Sequence, residues 1–128
     1  LGSLDLPVYI YGSREDHIVP ATAAYASTQM LPGKKRFVMG ASGHIAGVIN
    51  PPAKGKRSHW TRADGKFPGT LDQWLEGATE HPGSWWTDWS GWLKSHAGKQ
   101  IAAPKAYGKG TKFKAIEPAP GRYVKQKA

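Results

Sequence analysis

The sequence predicts an α/β fold that contains at least one pair of parallel strands. Two apolar runs of strand-forming residues, 6–11 and 36–39, each end at a glycine. Between them, residues 20–31 form an alanine-rich segment that begins with proline and stops at Pro32-Gly33, which is typical of a helix. A strand, a helix and a strand within about thirty-five residues have the size of a crossover unit, whose two strands run parallel.

The rest of the chain predicts mainly loop and helix. Residues 50–70 are expected to be loop, because Pro, Gly and Lys interrupt any periodicity. Thr70 is the expected N-cap of a helix over residues 71–81, and Ser84 is the expected cap of a helix over residues 85–97.

The last of these helices carries an aromatic face, formed by Trp85, Trp89, Trp92 and His96 at helical spacing. Packing against the rest of a larger domain is the simplest explanation, and a platform for a sugar or aromatic ligand is the alternative. Two strands and three helices enclose only a small core. We therefore expect the sheet to continue with strands that precede Leu1.

Length and composition restrict the class of protein. The 128 residues suffice for one small domain, and the chain begins in apolar residues with no secretory signal before them, which suggests a piece of a longer chain. No apolar stretch reaches the roughly 20 residues of a membrane span. Because the sequence has no cysteine, disulfides and thiolate metal sites are excluded within it. Neither a metal nor a cofactor is expected.

Charge divides the chain into two parts. The net charge is +9, and residues 99–128 hold eight basic residues and one acidic residue. We therefore expect residues 1–98 to form the folded part and residues 99–128 to form an extended, basic, Pro- and Gly-rich arm. Such an arm attracts nucleic acid, anionic surfaces or phosphorylated ligands, or it is simply solvated without a specific partner.

Asp16 and His44 are the candidate catalytic residues. Asp16 follows the first predicted strand and His44 follows the second, and reactive groups collect at the carboxyl ends of parallel strands. A carboxylate beside an imidazole fixes its tautomer and favours its protonated form, which is the orienting half of a nucleophile–His–Asp system. The order of acid and then histidine, each after a late strand, is that of the α/β-hydrolase fold. We therefore expect the last strands and helices of such a fold, its carboxyl-terminal portion.

Simpler roles remain open for these residues. Asp16 can cap its own turn, as Asp often does, and His44 can be an ordinary loop histidine. Glu15 and His17 compete for the same functional roles on composition alone. Gly43 and other glycines around the histidine leave room for a ligand or for unusual backbone angles.

Four strings of the sequence carry a resemblance to a known family: GSREDHIVP, SGHIAGVINPPAKGKRSHW, HPGSWWTDWSGWL and AIEPAPGRYVK. On these strings, the chain resembles the carboxyl-terminal part of the catalytic domain of class I polyhydroxyalkanoate (poly(3-hydroxybutyrate)) synthases, from near Val8 to the last residues. The resemblance implies an α/β-hydrolase-type domain, a homodimer in the full-length protein, and action at the surface of polyhydroxyalkanoate granules in the cytoplasm.

The resemblance also implies an activity. Members of this family join (R)-3-hydroxyacyl groups from their coenzyme A (CoA) thioesters into a growing polyester and release CoA. They use a cysteine nucleophile, a histidine and an aspartate, and the matching positions here are His44 and Asp16. Since the sequence has no cysteine, the nucleophile is expected upstream of Leu1, and the isolated chain is expected to be inactive.

Further contacts to the substrate are expected from polar residues near the histidine. Lys54, Lys56 and Arg57 lie close to His44 in the sequence and suit the phosphates of CoA, with a solvated loop as the alternative. The basic arm is a second candidate for the same role. His17 is expected to be a further polar contact in the cleft.

Two other functions stay open at this point. One is an esterase of the same fold with an upstream serine, distinguished by G-x-S-x-G in place of G-x-C-x-G at the nucleophile. The other is a non-catalytic basic module that binds nucleic acid or an anionic surface, distinguished by a steep loss of binding with salt. The second leaves the Asp and His loops unexplained, so nucleic acid is not the expected partner.

Overall fold

A computed structural model describes residues 2–127. The chain divides into two compact units, with the boundary between Ala97 and Gly98. The first unit is a small α/β domain that also has a short 3-10 helix at Pro52–Lys54. Its strands and helices are, in chain order, β1 (Val8–Ser13), α1 (Ala21–Met30), β2 (Lys35–Gly40), β3 (Ser58–Thr61), α2 (Leu71–Glu76), β4 (Thr79–Pro82) and α3 (Trp86–His96).

The first unit is built on one mixed sheet of four strands in the order β1-β2-β3-β4. β1 and β2 are parallel along their whole length, with Ile10 opposite Phe37, and α1 connects them. The remaining pairs, β2 with β3 and β3 with β4, are antiparallel. The predicted α/β class and the parallel crossover unit are therefore confirmed.

One face of the sheet packs against α1 and α2 to form the main core. Tyr25 of α1 and Trp74 of α2 are almost fully buried, and both rings contact the ring of Phe37 on β2. Ile10 and Met39 fill the same cluster from the two parallel strands. The apolar runs seen in the sequence supply this core, as expected for strands covered on both faces.

The other face of the sheet is covered by α3. Trp85, just before the helix, stacks on Tyr11 at 4.2 Å between ring centroids, and Trp92 packs on Tyr9 at 5.5 Å. Two residues of the aromatic face predicted for this helix, Trp85 and Trp92, therefore pack on β1 of the same unit, while Trp89 contacts Trp85 and His96 contacts Trp92. This packing also places the amino-terminal end of α3 near the end of β1.

A partly buried polar cluster fastens α3 to the two parallel strands. Two guanidinium nitrogens of Arg36 on β2 donate to the carboxylate of Asp88 on α3. Nε donates to Oδ1 at 2.7 Å, and Nη2 donates to Oδ2. The Tyr9 hydroxyl donates to the same Oδ1 at 2.9 Å. Burial, the neighbouring charge of Asp88 and this hydrogen bond together raise the pKa of Tyr9, so its hydroxyl stays protonated and keeps donating.

Two sequence predictions are wrong in the middle of the chain. Residues 50–70 are not loop throughout, because β3 and a 3-10 helix lie within them. The helix predicted over residues 71–81 ends at Glu76, and β4 follows. Thr70 caps α2 as predicted, since its hydroxyl accepts from the amide of Gln73 at 3.3 Å. The strands form because each pairs with a neighbour, which outweighs weak local preferences.

The second unit, residues 98–127 of the described chain, contains only short elements. Gly108–Lys109 (β5) and Phe113–Lys114 (β6) pair antiparallel, and a 3-10 helix spans Tyr123–Lys125. The segment predicted as an extended arm therefore contains these three short elements. Within residues 2–127, none of the helices has the length and apolar character that crossing a membrane requires.

Candidate active site

Two loops leave the parallel strands at the same edge of the sheet. The aspartate loop, residues 14–20, follows β1, and the histidine turn, residues 43–49, follows β2. The amide of Arg14 donates to the carbonyl oxygen of Gly40 at 2.8 Å, which continues the β-ladder into the two loops. The parallel pairing therefore determines how the loops face each other.

Asp16 lies in the aspartate loop with its side chain only 7% exposed, and both of its carboxylate oxygens are hydrogen-bonded. Oδ1 accepts from the amides of Ile18 at 2.9 Å and Val19 at 2.8 Å. Oδ2 lies 2.8 Å from Nδ1 of His44. Burial by itself raises the pKa of Asp16, but the Val19 amide, the imidazole and the Ile18 amide outweigh it, so the pKa lies below its ordinary value.

The protonation of the two side chains follows from this contact. A carboxylate can only accept hydrogen bonds, and the lowered pKa keeps Asp16 ionised at neutral pH. Nδ1 of His44 therefore carries a proton and donates a hydrogen bond to Oδ2 of Asp16. In the neutral ring this leaves the lone pair on Nε2, and 41% of the imidazole side chain is exposed, so Nε2 is available to a reacting group.

The histidine turn consists of two overlapping helical turns that do not continue into a helix. The amide of Gly47 donates to the Gly43 carbonyl at 2.8 Å, and that of Ile49 donates to the Ile45 carbonyl at 2.9 Å. His44 is the second residue of this turn, so its ring orientation depends on the whole turn. This arrangement suits a general base held by a carboxylate.

The chain is similar in sequence to part of several known proteins. No family model matches the chain. Over all 128 residues the chain is 66% identical to the poly(3-hydroxyalkanoate) polymerase subunit PhaC of Cupriavidus necator, covering 21% of that protein. It is 44% identical to the polymerase subunit of Rhizobium etli, over 99% of the chain and 19% of that protein. It is 41% identical to that of Rhizobium meliloti, over the whole chain and 20% of that protein.

The chain matches a segment of the poly(3-hydroxyalkanoate) polymerases. This confirms the family resemblance stated from the sequence. The chain spans about a fifth of the length of the curated relatives it matches. The chain holds a carboxylate and an imidazole in contact, and it contains no cysteine.

The other predicted site residues lie in the aspartate loop and in the segment that follows the histidine turn. Glu15 and His17 have exposed side chains, and among the described residues no hydrogen bond joins either side chain to His44. Lys54, Lys56 and Arg57 are exposed residues. They line an open cleft of about 400 Å³ together with three residues at or beside the histidine turn: Ala46, Ile49 and Asn50.

Sequence reasoning missed three side-chain contacts to the histidine turn. An Arg57 guanidinium nitrogen donates to the carbonyl of Ala46 at 2.6 Å. The indole nitrogens of Trp85 and Trp86 donate to the carbonyls of Gly47, at 3.1 Å, and Val48, at 2.9 Å. Tryptophan at the start of a helix carries no local signal for such a bond, because the acceptors lie 38 residues earlier.

Proposed function

We propose that this chain supplies the histidine and the aspartate of an acyltransferase site that polymerises (R)-3-hydroxyacyl-CoA into polyhydroxyalkanoate. The single observation that carries the proposal is the 2.8 Å contact between Asp16 and His44 at the carboxyl ends of two parallel strands. The full-length relatives named as polymerases give the substrate class. The nucleophile of this proposal is a cysteine thiol from another part of the full-length protein.

The first step is transfer of the acyl group to the thiol. A thiol with a reference pKa near 8.5 is a poor nucleophile until a base removes its proton. Nε2 of His44 accepts that proton, and the thiolate attacks the thioester carbonyl. The C–S bond to CoA breaks, an acyl-enzyme thioester forms, and the imidazolium returns the proton to the leaving CoA sulfur. Asp16 stabilises the imidazolium through the Nδ1 hydrogen bond.

The second step is elongation, in which the 3-hydroxyl of one unit attacks the acyl-enzyme thioester of another. A new ester bond forms, the C–S bond to the enzyme thiol breaks, and the imidazolium returns the hydroxyl proton to the leaving sulfur. An ordinary Asp, with a pKa of about 3.9, is a weak base for an alcohol, and the pKa of Asp16 is lower still. Its Oδ1 is also occupied by two backbone amides. We therefore assign removal of the hydroxyl proton to His44 and orientation of the ring to Asp16.

The proposed fold of the complete domain is of the α/β-hydrolase type, with this chain as its last strands and helices. Support comes from the parallel pair with the acid after β1 and the histidine after β2. Among the described residues β1 pairs only with β2, so its outer edge is open to a further strand. Residues 98–127, with their excess of basic side chains, are proposed as a basic tail on that domain.

We assign the cleft beside the histidine turn to the phosphates of CoA. Its three cations, Lys54, Lys56 and Arg57, share one lining, and guanidinium and ammonium groups bind phosphate through charge-assisted hydrogen bonds. His17 is the proposed polar contact on the opposite loop, where its side chain is exposed. No cofactor takes part in this mechanism.

The remaining features of the proposal come from the family alone. They are a homodimer in the full-length protein, contact with the growing polyester chain, and location in the cytoplasm at the surface of polyhydroxyalkanoate granules. Light scattering of the full-length protein and fluorescence microscopy of a tagged form test the assembly and the location. A monomer in the active preparation, or uniform fluorescence beside granules, contradicts these features.

The test of the proposed function is His44→Gln in the full-length polymerase that contains this sequence. We expect CoA release and polymer formation to fall at least about a thousandfold, because the base for the thiol is lost. His96→Gln is the matched control, since His96 lies at the end of α3 and packs on Trp92. Polymer formation by His44→Gln at the rate of the control refutes the proposal. Free hydroxy acid as the main product of the unmodified enzyme identifies an esterase instead.

A further inference from the structure

Three successive carbonyls of the histidine turn are each bonded by a side chain from later in the chain. They belong to Ala46, Gly47 and Val48, and the donors are Arg57, Trp85 and Trp86. The last carbonyls of a helical turn have no partner within the turn. Here side chains from two separate segments bond these carbonyls, and the Val48 carbonyl also accepts from the amide of Asn50 at 3.1 Å, so the short turn is held without continuing into a helix.

The two indole donors come from the amino-terminal end of α3. Trp85 is 8% exposed and its bond to the Gly47 carbonyl is buried, while Trp86 is partly buried. Both donate from the indole nitrogen, at 3.1 and 2.9 Å, to adjacent carbonyls. The tryptophan side chain has one N–H donor and no acceptor. Each indole can therefore bond the turn only when its N–H points at a carbonyl oxygen.

Trp85 also contacts the strand that leads to the aspartate loop. Its ring stacks on Tyr11 at 4.2 Å, and the Tyr11 and Ser13 hydroxyls are hydrogen-bonded at 3.0 Å. The carbonyl of Ser13 accepts from the amide of Asp16 at 3.2 Å. One indole therefore bonds the turn that carries the histidine and packs on the strand that carries the aspartate.

We propose that Trp85 and Trp86 are positioning residues for His44, acting through their indole N–H bonds to the Gly47 and Val48 carbonyls. This inference rests on the proposed function of His44. The indoles touch neither substrate nor reacting atoms in this scheme. They hold the turn so that the imidazole keeps its bond to Asp16 and directs Nε2 at the thiol.

The experiment replaces each indole in the full-length polymerase by Phe, which removes the donor and keeps an aromatic ring. A second replacement uses 3-benzothienylalanine, in which sulfur stands where the N–H was, so the shape of the side chain and the packing on Tyr11 are retained. Trp89→Phe is the matched control. Trp89 lies on the same helix and packs on Trp85, and among the described residues its indole nitrogen has no hydrogen-bond partner in the protein.

We expect kcat to fall roughly 10- to 100-fold in the Trp85 and Trp86 variants, with KM changed less than about threefold, because misplacement of a catalytic group affects the reaction step most. Amide hydrogen exchange is expected to accelerate in residues 43–50 and not elsewhere. Trp89→Phe is expected to match the unmodified enzyme in both measurements.

Two results overturn the inference. One is a kcat equal to that of Trp89→Phe for the benzothienyl variants at both positions, while His44→Gln is inactive. The other is exchange that accelerates throughout α3 and the sheet, which indicates general destabilisation. If His44→Gln is active, the proposed function fails, and exchange in residues 43–50 still decides whether the indoles hold the turn.

Discussion

The backbone amide of Glu15 donates a hydrogen bond to the carbonyl of Ser42 at 3.0 Å, and this bond joins the two loops one residue before Asp16 and two before His44. Ser42 adopts a left-handed backbone conformation with φ of 77°, which an L-residue other than Gly adopts at a cost of about 1 kcal/mol or more. The backbone conformation of the two loops therefore holds Asp16 and His44 close to each other. Their contact depends on this conformation as well as on the attraction between the two side chains.

Asp16→Asn in the full-length polymerase tests the division of labour between the two side chains. We expect elongation to slow far more than acylation by a single substrate, because an alcohol is a much weaker acid than a thiol, so its deprotonation depends more on the stabilisation of the imidazolium by Asp16. Asn still accepts from the amides of Ile18 and Val19, so the loop is retained. Single-turnover release of CoA measures acylation, and polymer formation measures elongation. Equal slowing of the two steps contradicts this assignment.

Gly47→Ala tests the close packing of the histidine turn. A Cβ at residue 47 lies 2.7 Å from the Gly43 carbonyl oxygen and 2.5 Å from Oγ of Ser13. The hydroxyl can rotate away, but the backbone carbonyl cannot, so the turn must shift. We expect kcat to fall roughly a hundredfold, as for a displacement of about 1 Å at a reacting group.

The control for this substitution is Gly91→Ala, which places the same methyl group in α3. A Cβ at residue 91 meets nothing within 4 Å. Alanine is the better helix former by about 0.5–1 kcal/mol, so α3 is expected to be slightly more resistant to hydrogen exchange, with kcat unchanged. Activity of Gly47→Ala equal to that of Gly91→Ala would show that the turn tolerates the methyl group.

Local pattern sufficed for the elements that hold Asp16 and His44. The two strands of this unit are apolar runs that end at a glycine, and the segment between them has the length of a helix. The rule that parallel strands end at one edge then placed both residues there. Composition alone left Glu15 and His17 as competitors, the family resemblance selected Asp16, and in the structure Asp16 contacts His44. Asp16 both caps its own loop and bonds the histidine, so the two roles weighed from the sequence are compatible.

Structural features that depend on residues far away in the sequence were not predicted. β3 is only four residues long, and its His59 and Trp60 pair with β2 on one side and β4 on the other. At the end of α2, Arg62 donates to the carbonyls of Gln73 at 2.9 Å and Trp74 at 3.2 Å, so these carbonyls have partners without a further helical turn. Nothing in the sequence near Trp85 signals its bond to a carbonyl 38 residues earlier. Such contacts join residues that are far apart in the sequence, so they produce no periodic pattern from which they could be predicted.

Lys54→Gln and Lys56→Gln test the assignment of the cleft to the phosphates of CoA. We expect KM for the acyl-CoA to rise roughly 3- to 10-fold for each, with kcat unchanged, because an exposed charge pair contributes about 1 kcal/mol. Arg57 is less informative, since it also bonds the Ala46 carbonyl. Lys112→Gln in the second unit is the control. A rise of KM in Lys112→Gln alone assigns the phosphates to the basic tail.

The acid dependence of α3 packing follows from the ion pair between Arg36 and Asp88. Burial raises the pKa of Asp88, but the hydrogen bonds and charge of Arg36 and the Tyr9 hydroxyl outweigh it, so the pKa in the folded protein is below 3.8. A lowered pKa means that the stabilisation is present above about pH 3.8 and is lost as the pH falls below it.

Asp88→Asn measures this contribution. At neutral pH we expect the free energy of opening of α3 to decrease by about 1–2 kcal/mol, at the lower end for a charged hydrogen bond because the Arg36 side chain is 37% exposed. The difference from the unmodified protein should shrink as the pH falls below about 3.8, since Asn does not ionise. Hydrogen exchange of the α3 amides, corrected for the intrinsic rate at each pH, measures the free energy of opening at neutral pH and its change as the pH falls. A difference that stays constant between pH 7 and pH 3 means that packing, not charge, holds α3 to the strands.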